Sequence, residues 1–168
     1  MLVAETLADW MNSRGIKTVF EKRFKDEEEV YFLTLNLKYN YSIEKCEKIF
    51  DSFIENVNKG IYKNAFRRYG KCINHIAILD GGKDEVIRHY HVLVAKCHRY
   101  ETMEEFGNFL FSKWKEIPES NKLKYGTDIR IANDVRQGIF YSLKDRTKEL
   151  GNGIEITCHI HPSSYFYK

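Results

Sequence analysis

One turn restricts the possible folds of this chain more than any other stretch. Asp80-Gly81-Gly82-Lys83-Asp84 separates two apolar runs, Cys72 to Leu79 and Val86 to Ala95, both rich in residues that favour strands. Glycines in the turn supply the backbone freedom a tight reversal needs, so the two runs are expected to pair as an antiparallel hairpin. Within a strand, residues two apart share a face. His89 and His91 in Arg88-His89-Tyr90-His91-Val92-Leu93-Val94 therefore point the same way, and both imidazoles can converge on one divalent metal without distorting the backbone. A metal that grips phosphate takes carboxylate or water ligands beside its imidazoles. The hairpin carries Asp80 back towards His89, which makes Asp80 the expected third ligand, with Glu85 in the turn as its rival. His75 stands at odd spacing from Asp80 and is expected on the other face of the sheet.

The rest of the chain alternates between the two periodicities. Residues 2–12 read as a short helix, and Val30 to Leu37 as a buried strand. Ser42 is placed to cap a helix whose apolar stripe runs through Ile43, Cys46, Ile49, Phe50, Phe53, Ile54 and Val57 and which is expected to reach about Arg68. With Lys45 three residues after Ser42, the capping box is incomplete. Thr102 to Lys115 reads as a second long helix, Ile117 to Gly126 as a polar loop and Asp128 to Ala132 as a short strand. Asn133 then caps a helix that carries Tyr141, and Ile154 to Ile160 closes the chain as a last strand. The order β-α-β-β-α-β-α-β implies an α+β sandwich, a mostly antiparallel sheet with helices on one or both faces.

A chain of 168 residues with 43% hydrophobic and 30% charged content is expected to form one domain with a full core. The four cysteines, Cys46, Cys72, Cys97 and Cys158, form no C-x-x-C pair and are expected as reduced thiols, three of them in the core. No apolar run reaches the length of a membrane span, and Glu5 and Asp9 in the amphipathic start argue against a signal peptide. A net charge of +3 does not by itself mark a nucleic-acid binder. Its distribution says more: Lys59, Lys63, Arg67, Arg68 and Lys71 cluster, either as plain solvated surface or, at Arg67 and Arg68, as a contact to DNA. No phosphate-binding G-x-x-x-x-G-K-[ST] loop is present, since Gly81-Gly82-Lys83 is a turn. A second H-x-H pair, His159 and His161, precedes Pro162 with only Glu155 as a nearby carboxylate, and an edge-strand or tail role is expected for it.

Tyr141 and Lys144 are three apart in a helical stretch and so share a face. Gly138 lies one turn earlier on that face, where it suits either a kink or a close approach of sheet or DNA. These motifs together resemble the HUH endonucleases, specifically the rolling-circle replication initiators. Phe32-Leu33-Thr34-Leu35-Asn36 resembles that family's first motif, His89-Tyr90-His91 its histidine-hydrophobic-histidine metal motif, and Tyr141-Ser142-Leu143-Lys144-Asp145 its Y-x-x-K motif. Tyr141 follows the histidines, as in initiators and single-strand transposases and unlike conjugative relaxases. Asp145 stands where a two-tyrosine initiator has its second tyrosine, which makes this the single-tyrosine type.

The resemblance implies a single nuclease domain over residues 1–168, with its motifs between about 30 and 160, and no helicase. It implies Mg²⁺ or Mn²⁺ on His89, His91 and Asp80, Tyr141 as nucleophile, Lys144 as the cation beside it, and Thr34 and Asn36 as DNA contacts. The implied activity is nicking and joining of single-stranded DNA at a hairpin-bearing replication origin of a plasmid or virus, through a 5′-phosphotyrosyl intermediate. Implied partners are a host helicase and polymerase, with a second copy of the chain or an activated water ending the round, so a homodimer is one option. The implied compartment is the cytoplasm, or the nucleus for a eukaryotic virus, with no membrane. A non-cleaving origin-binding protein and a single-strand transposase are the alternatives.

Overall fold

A computed structural model describes residues 24–27, 29–82, 86–122, 127–131 and 159–165. The strands are β1 (Val30–Asn36), β2 (His75–Asp80), β3 (His89–Ala95), β4 (Thr127–Ile131) and β5 (His159–Ile160). They form one sheet in the order β4-β1-β3-β2-β5, and every neighbouring pair is antiparallel. The helices are α1 (Ile43–Tyr62), α2 (Asn64–Tyr69) and α3 (Met103–Lys115), and a 3₁₀ turn spans Pro162–Tyr165. The protein is thus an α+β fold with an antiparallel sheet flanked by helices, as its sequence pattern predicts. The expected helix over 2–12, the helix carrying Tyr141, and residues 154–158 of the expected last strand lie outside the described residues.

Alternation along each strand sorts the sheet into two faces. Tyr31, Leu33 and Leu35 of β1, Ala77 and Leu79 of β2, and Tyr90, Val92 and Val94 of β3 join Phe50, Phe53 and Val57 of α1 and Phe106, Leu110 and Trp114 of α3 in one core. The Phe53 and Trp114 rings meet edge to face at 5.4 Å. Gly60 lets α1 approach α3, since a Cβ there would stand 2.8 Å from the Phe109 ring. Opposite, Phe32, Ile76, Ile78 and Leu93 are also buried. By the same alternation this second face carries Thr34, Asn36, Asp80, His89 and His91 at one end.

Three boundaries differ from the sequence reading by more than one residue, and two cysteines differ in burial. Ser42 caps α1 as expected, accepting from the Lys45 amide at 3.2 Å. The helix does not reach Arg68, however: Lys63 takes φ 48°, which interrupts it, and α2 begins at Asn64. The second strand begins at His75 rather than Cys72, because the Ile73 amide donates to Asn58 Oδ1 of α1 at 2.8 Å. The third strand begins at His89 rather than Val86. Gly81 and Gly82 both take positive φ, and the Gly82 amide donates to the Val86 carbonyl at 2.7 Å. That closes the turn and leaves Val86 and Ile87 exposed. Finally, the thiols of Cys72 and Cys97 are only half-buried, since both lie beyond the ends of the β2–β3 ladder, whereas Cys46 is in the core.

Candidate metal centre

The register of the central strands builds the site. Asp80 of β2 pairs with His89 of β3, which pairs with Asn36 of β1. In the next row on the same face, Ile78 pairs with His91 and His91 with Thr34. Three donors from one hairpin therefore meet. His89 Nε2 and His91 Nε2 are 3.2 Å apart, and Asp80 Oδ2 lies 3.9 Å from the first and 3.7 Å from the second.

Neighbouring groups aim each donor. His89 Nδ1 lies 3.0 Å from the Ile87 carbonyl oxygen, which can only accept. The proton therefore belongs on Nδ1, and the Nε2 lone pair faces the cluster. His91 Nδ1 lies 3.4 Å from Thr34 Oγ1, and the His91 ring stacks on Phe32 at 5.3 Å. Asp80 Oδ1 accepts from the Gly81 amide at 2.7 Å, which turns Oδ2 towards the histidines. The two imidazoles stand nearly perpendicular, at 87°.

These residues could hold a metal ion. With metal–ligand bonds of about 2.0–2.1 Å in octahedral geometry, neighbouring ligand atoms stand roughly 3.0 Å apart. The two Nε2 atoms already meet that spacing, and Asp80 needs a small side-chain adjustment to do so. Asp80 and His91 are each only 7% exposed, so a divalent cation would offset a carboxylate charge largely removed from water. His89 is half-buried at the open side, and a set of three ligands leaves coordination positions for water or substrate.

Tyr90 lies between the two histidines but points into the core, and burial pushes its hydroxyl far above the ordinary tyrosine range. It is no nucleophile for this site. His75 faces away from Asp80, as expected: its Nδ1 donates to the Ile73 carbonyl, its Nε2 meets Ser163 Oγ at 2.8 Å, and its ring packs against Phe50. In the second H-x-H pair, His161 is buried and meets the Glu47 carbonyl, Asp51 and Ser163, which docks the 3₁₀ turn onto α1.

Thr34 stands within the centre and Asn36 in its outer row. Arg67 and Arg68 do not join them. They are exposed on α2, just before the chain enters the His75 end of β2, whereas Asp80 is at the other end. Five residue steps along β2 separate the two ends by about 17 Å. Tyr141, Lys144, Gly138 and Glu85 lie outside the described residues.

Two contributors escaped the sequence reading. Phe32 could have been found from its even spacing with Thr34. Arg88, which donates to the Tyr41 carbonyl and to Asn40 Oδ1 and lies against Gly82, had no signal beyond its place beside His89. It ties the hairpin turn to the loop before α1. No helix among the described residues is long and apolar enough to cross a membrane. Comparison with family models, with curated proteins and with solved structures gives no match.

Proposed function

We propose that this protein nicks and rejoins single-stranded DNA through a tyrosine and a divalent metal, as an initiator of rolling-circle replication. The observation that carries the reading is the Asp80–His89–His91 cluster, seated on the same sheet face as Thr34 and Asn36. The motif order, with Tyr141 and Lys144 after the histidines, supports it.

On this reading Asp80, His89 and His91 hold Mg²⁺ or Mn²⁺. The bound ion supplies Lewis-acid polarisation of the scissile phosphate. Tyr141 attacks phosphorus: a phenol O–P bond forms, the P–O3′ bond breaks, and the 3′ oxygen leaves as a hydroxyl. The phenol must give up a proton held with an ordinary pKa of about 10, which the Lys144 cation eases. The 5′-phosphotyrosyl link keeps the energy of the broken bond, so attack by a 3′ hydroxyl reverses the step without ATP. Thr34 and Asn36 contact the strand. A host helicase unwinds the origin and a host polymerase extends the free 3′ end.

Hairpin-bearing single-stranded oligonucleotides incubated with Mn²⁺ and run on a denaturing gel test this. A slower protein band is expected, absent in Tyr141→Phe and in His91→Ala. Shifted DNA in a native gel without that band identifies a non-cleaving origin binder and rejects the nuclease. Absence of both the band and the shift rejects the DNA reading altogether.

A further inference from the structure

A cavity of about 420 Å³ opens at the end of the sheet away from Asp80 and His89. It forms where the ladder stops. Past the Ala95 amide, which donates to the Asn74 carbonyl at 2.9 Å, the segment 71–73 turns towards α1 while 96–99 leaves β3. The last turn of α1 completes the wall with Ile61 and Tyr62. The volume lies within the roughly 300–1,000 Å³ of small-molecule sites.

Its lining divides by chemistry. Ile61, Ile73 and Ala95 make an apolar floor, and Tyr62 adds an aromatic ring. Lys71, Lys96 and Arg99 bring three fixed positive charges against one carboxylate, Glu27, which accepts from the Asn74 amide at 3.2 Å. Lys96 pairs with Glu29 at 3.5 Å. Lys71 instead lies 5.3 Å above the Tyr62 ring, and among the described residues neither it nor Arg99 is matched with a carboxylate. Both are exposed, as are Lys63, Arg67 and Arg68 in the segment that leads to Lys71. A ring beside an apolar floor suits a planar base, and a pair of cations at the mouth suits a phosphate.

We propose that this cavity binds a nucleotide unit, with its phosphate on Lys71 and Arg99 and its base against Tyr62. The unit comes either from a free nucleotide or from a DNA strand. The site lies apart from the metal centre and does not depend on what that centre does.

Cys72 and Cys97 line the cavity half-buried, so their alkylation reports occupancy, while buried Cys46 serves as an internal reference. The full chain, with EDTA present, is treated with a maleimide alone, with dTMP, or with oligothymidylate, and labelling is followed by mass spectrometry. Slower labelling of Cys72 and Cys97 is expected with at least one of the two ligands. Protection by dTMP that the oligonucleotide does not exceed identifies a free nucleotide. Tighter, salt-sensitive protection by the oligonucleotide identifies a strand. Lys71→Glu with Arg99→Glu is expected to weaken protection about tenfold or more by removing the phosphate contacts. An unchanged melting curve and unchanged Mn²⁺ binding show that the variant remains folded. Absence of protection by both ligands, or equal protection in the folded double variant, overturns the proposal. Loss of the tyrosine adduct has no bearing on it.

Discussion

His91 Nδ1 stands 3.4 Å from Thr34 Oγ1, across the β1–β3 pairing. The contact holds one imidazole from behind while its Nε2 faces Asp80 and His89. A ligand held in this way loses less freedom when a metal arrives.

Thr34→Val keeps the shape of the side chain and removes the hydroxyl. Mn²⁺ affinity, measured by calorimetry, is expected to fall about 10–100-fold, the range for groups that support metal ligands. Thr34→Ser should restore most of it, and the thermal midpoint of the metal-free protein should move little in either variant.

Gly81→Ala should damage fold and site together. Gly81 has φ +85°, and a Cβ there would stand 2.6 Å from the Ile87 carbonyl oxygen. That oxygen is the one His89 Nδ1 faces. A loss of about 1–3 kcal/mol in urea unfolding is expected from the backbone strain, together with weaker Mn²⁺ binding. Full metal affinity in a destabilised Gly81→Ala protein would show that His89 does not depend on Ile87.

Asn58→Leu should cost about 1–3 kcal/mol, because it leaves a buried amide without its acceptor. Asn58 Oδ1 of α1 accepts from the Ile73 amide at 2.8 Å, where the chain passes from α2 into β2. A urea midpoint equal to that of the unaltered protein would contradict this.

Glu119 gives a pH signature. Its bond to Lys45, with an ion-pair distance of 2.8 Å, holds its carboxyl below the ordinary value of 4.5. A carboxyl lowered in the fold stabilises it above the unfolded value, and the contribution is lost as pH falls through the folded value. Glu119→Gln should therefore melt slightly lower than the unaltered protein at pH 7, with the two curves converging as the pH is taken down from 4.5. A difference that persists in acid would assign the effect to packing of the 117–120 turn.

The meeting of Asp80, His89 and His91 was legible in sequence because a strand has a period of two and a two-glycine turn returns the chain on itself. Those rules place Asp80 opposite His89 and send His75 to the far face. The break after Tyr62 had no such signal: a lysine at φ 48° is rare, and neither glycine nor proline marks it. Val86 and Ile87 read as strand from their side chains, but the two glycines before them decide the path of the backbone. Arg67 and Arg68 show a further limit. Charge clustering identifies a basic surface but does not say at which end of a sheet it falls, and here it falls at the end away from Asp80.

Asp80, His89 and His91 all belong to one hairpin, whereas Asn36 must find His89 across more than fifty residues of intervening chain. Local contacts form early in folding, and long-range pairings wait on loop closure. Asp80, His89 and His91 are thus expected to be together before β1 docks. An ion captured at that stage would anchor the hairpin as a nucleus for the rest of the sheet. Metal should then speed folding more than it slows unfolding, the opposite of what is expected for a centre whose ligands are gathered only in the finished protein.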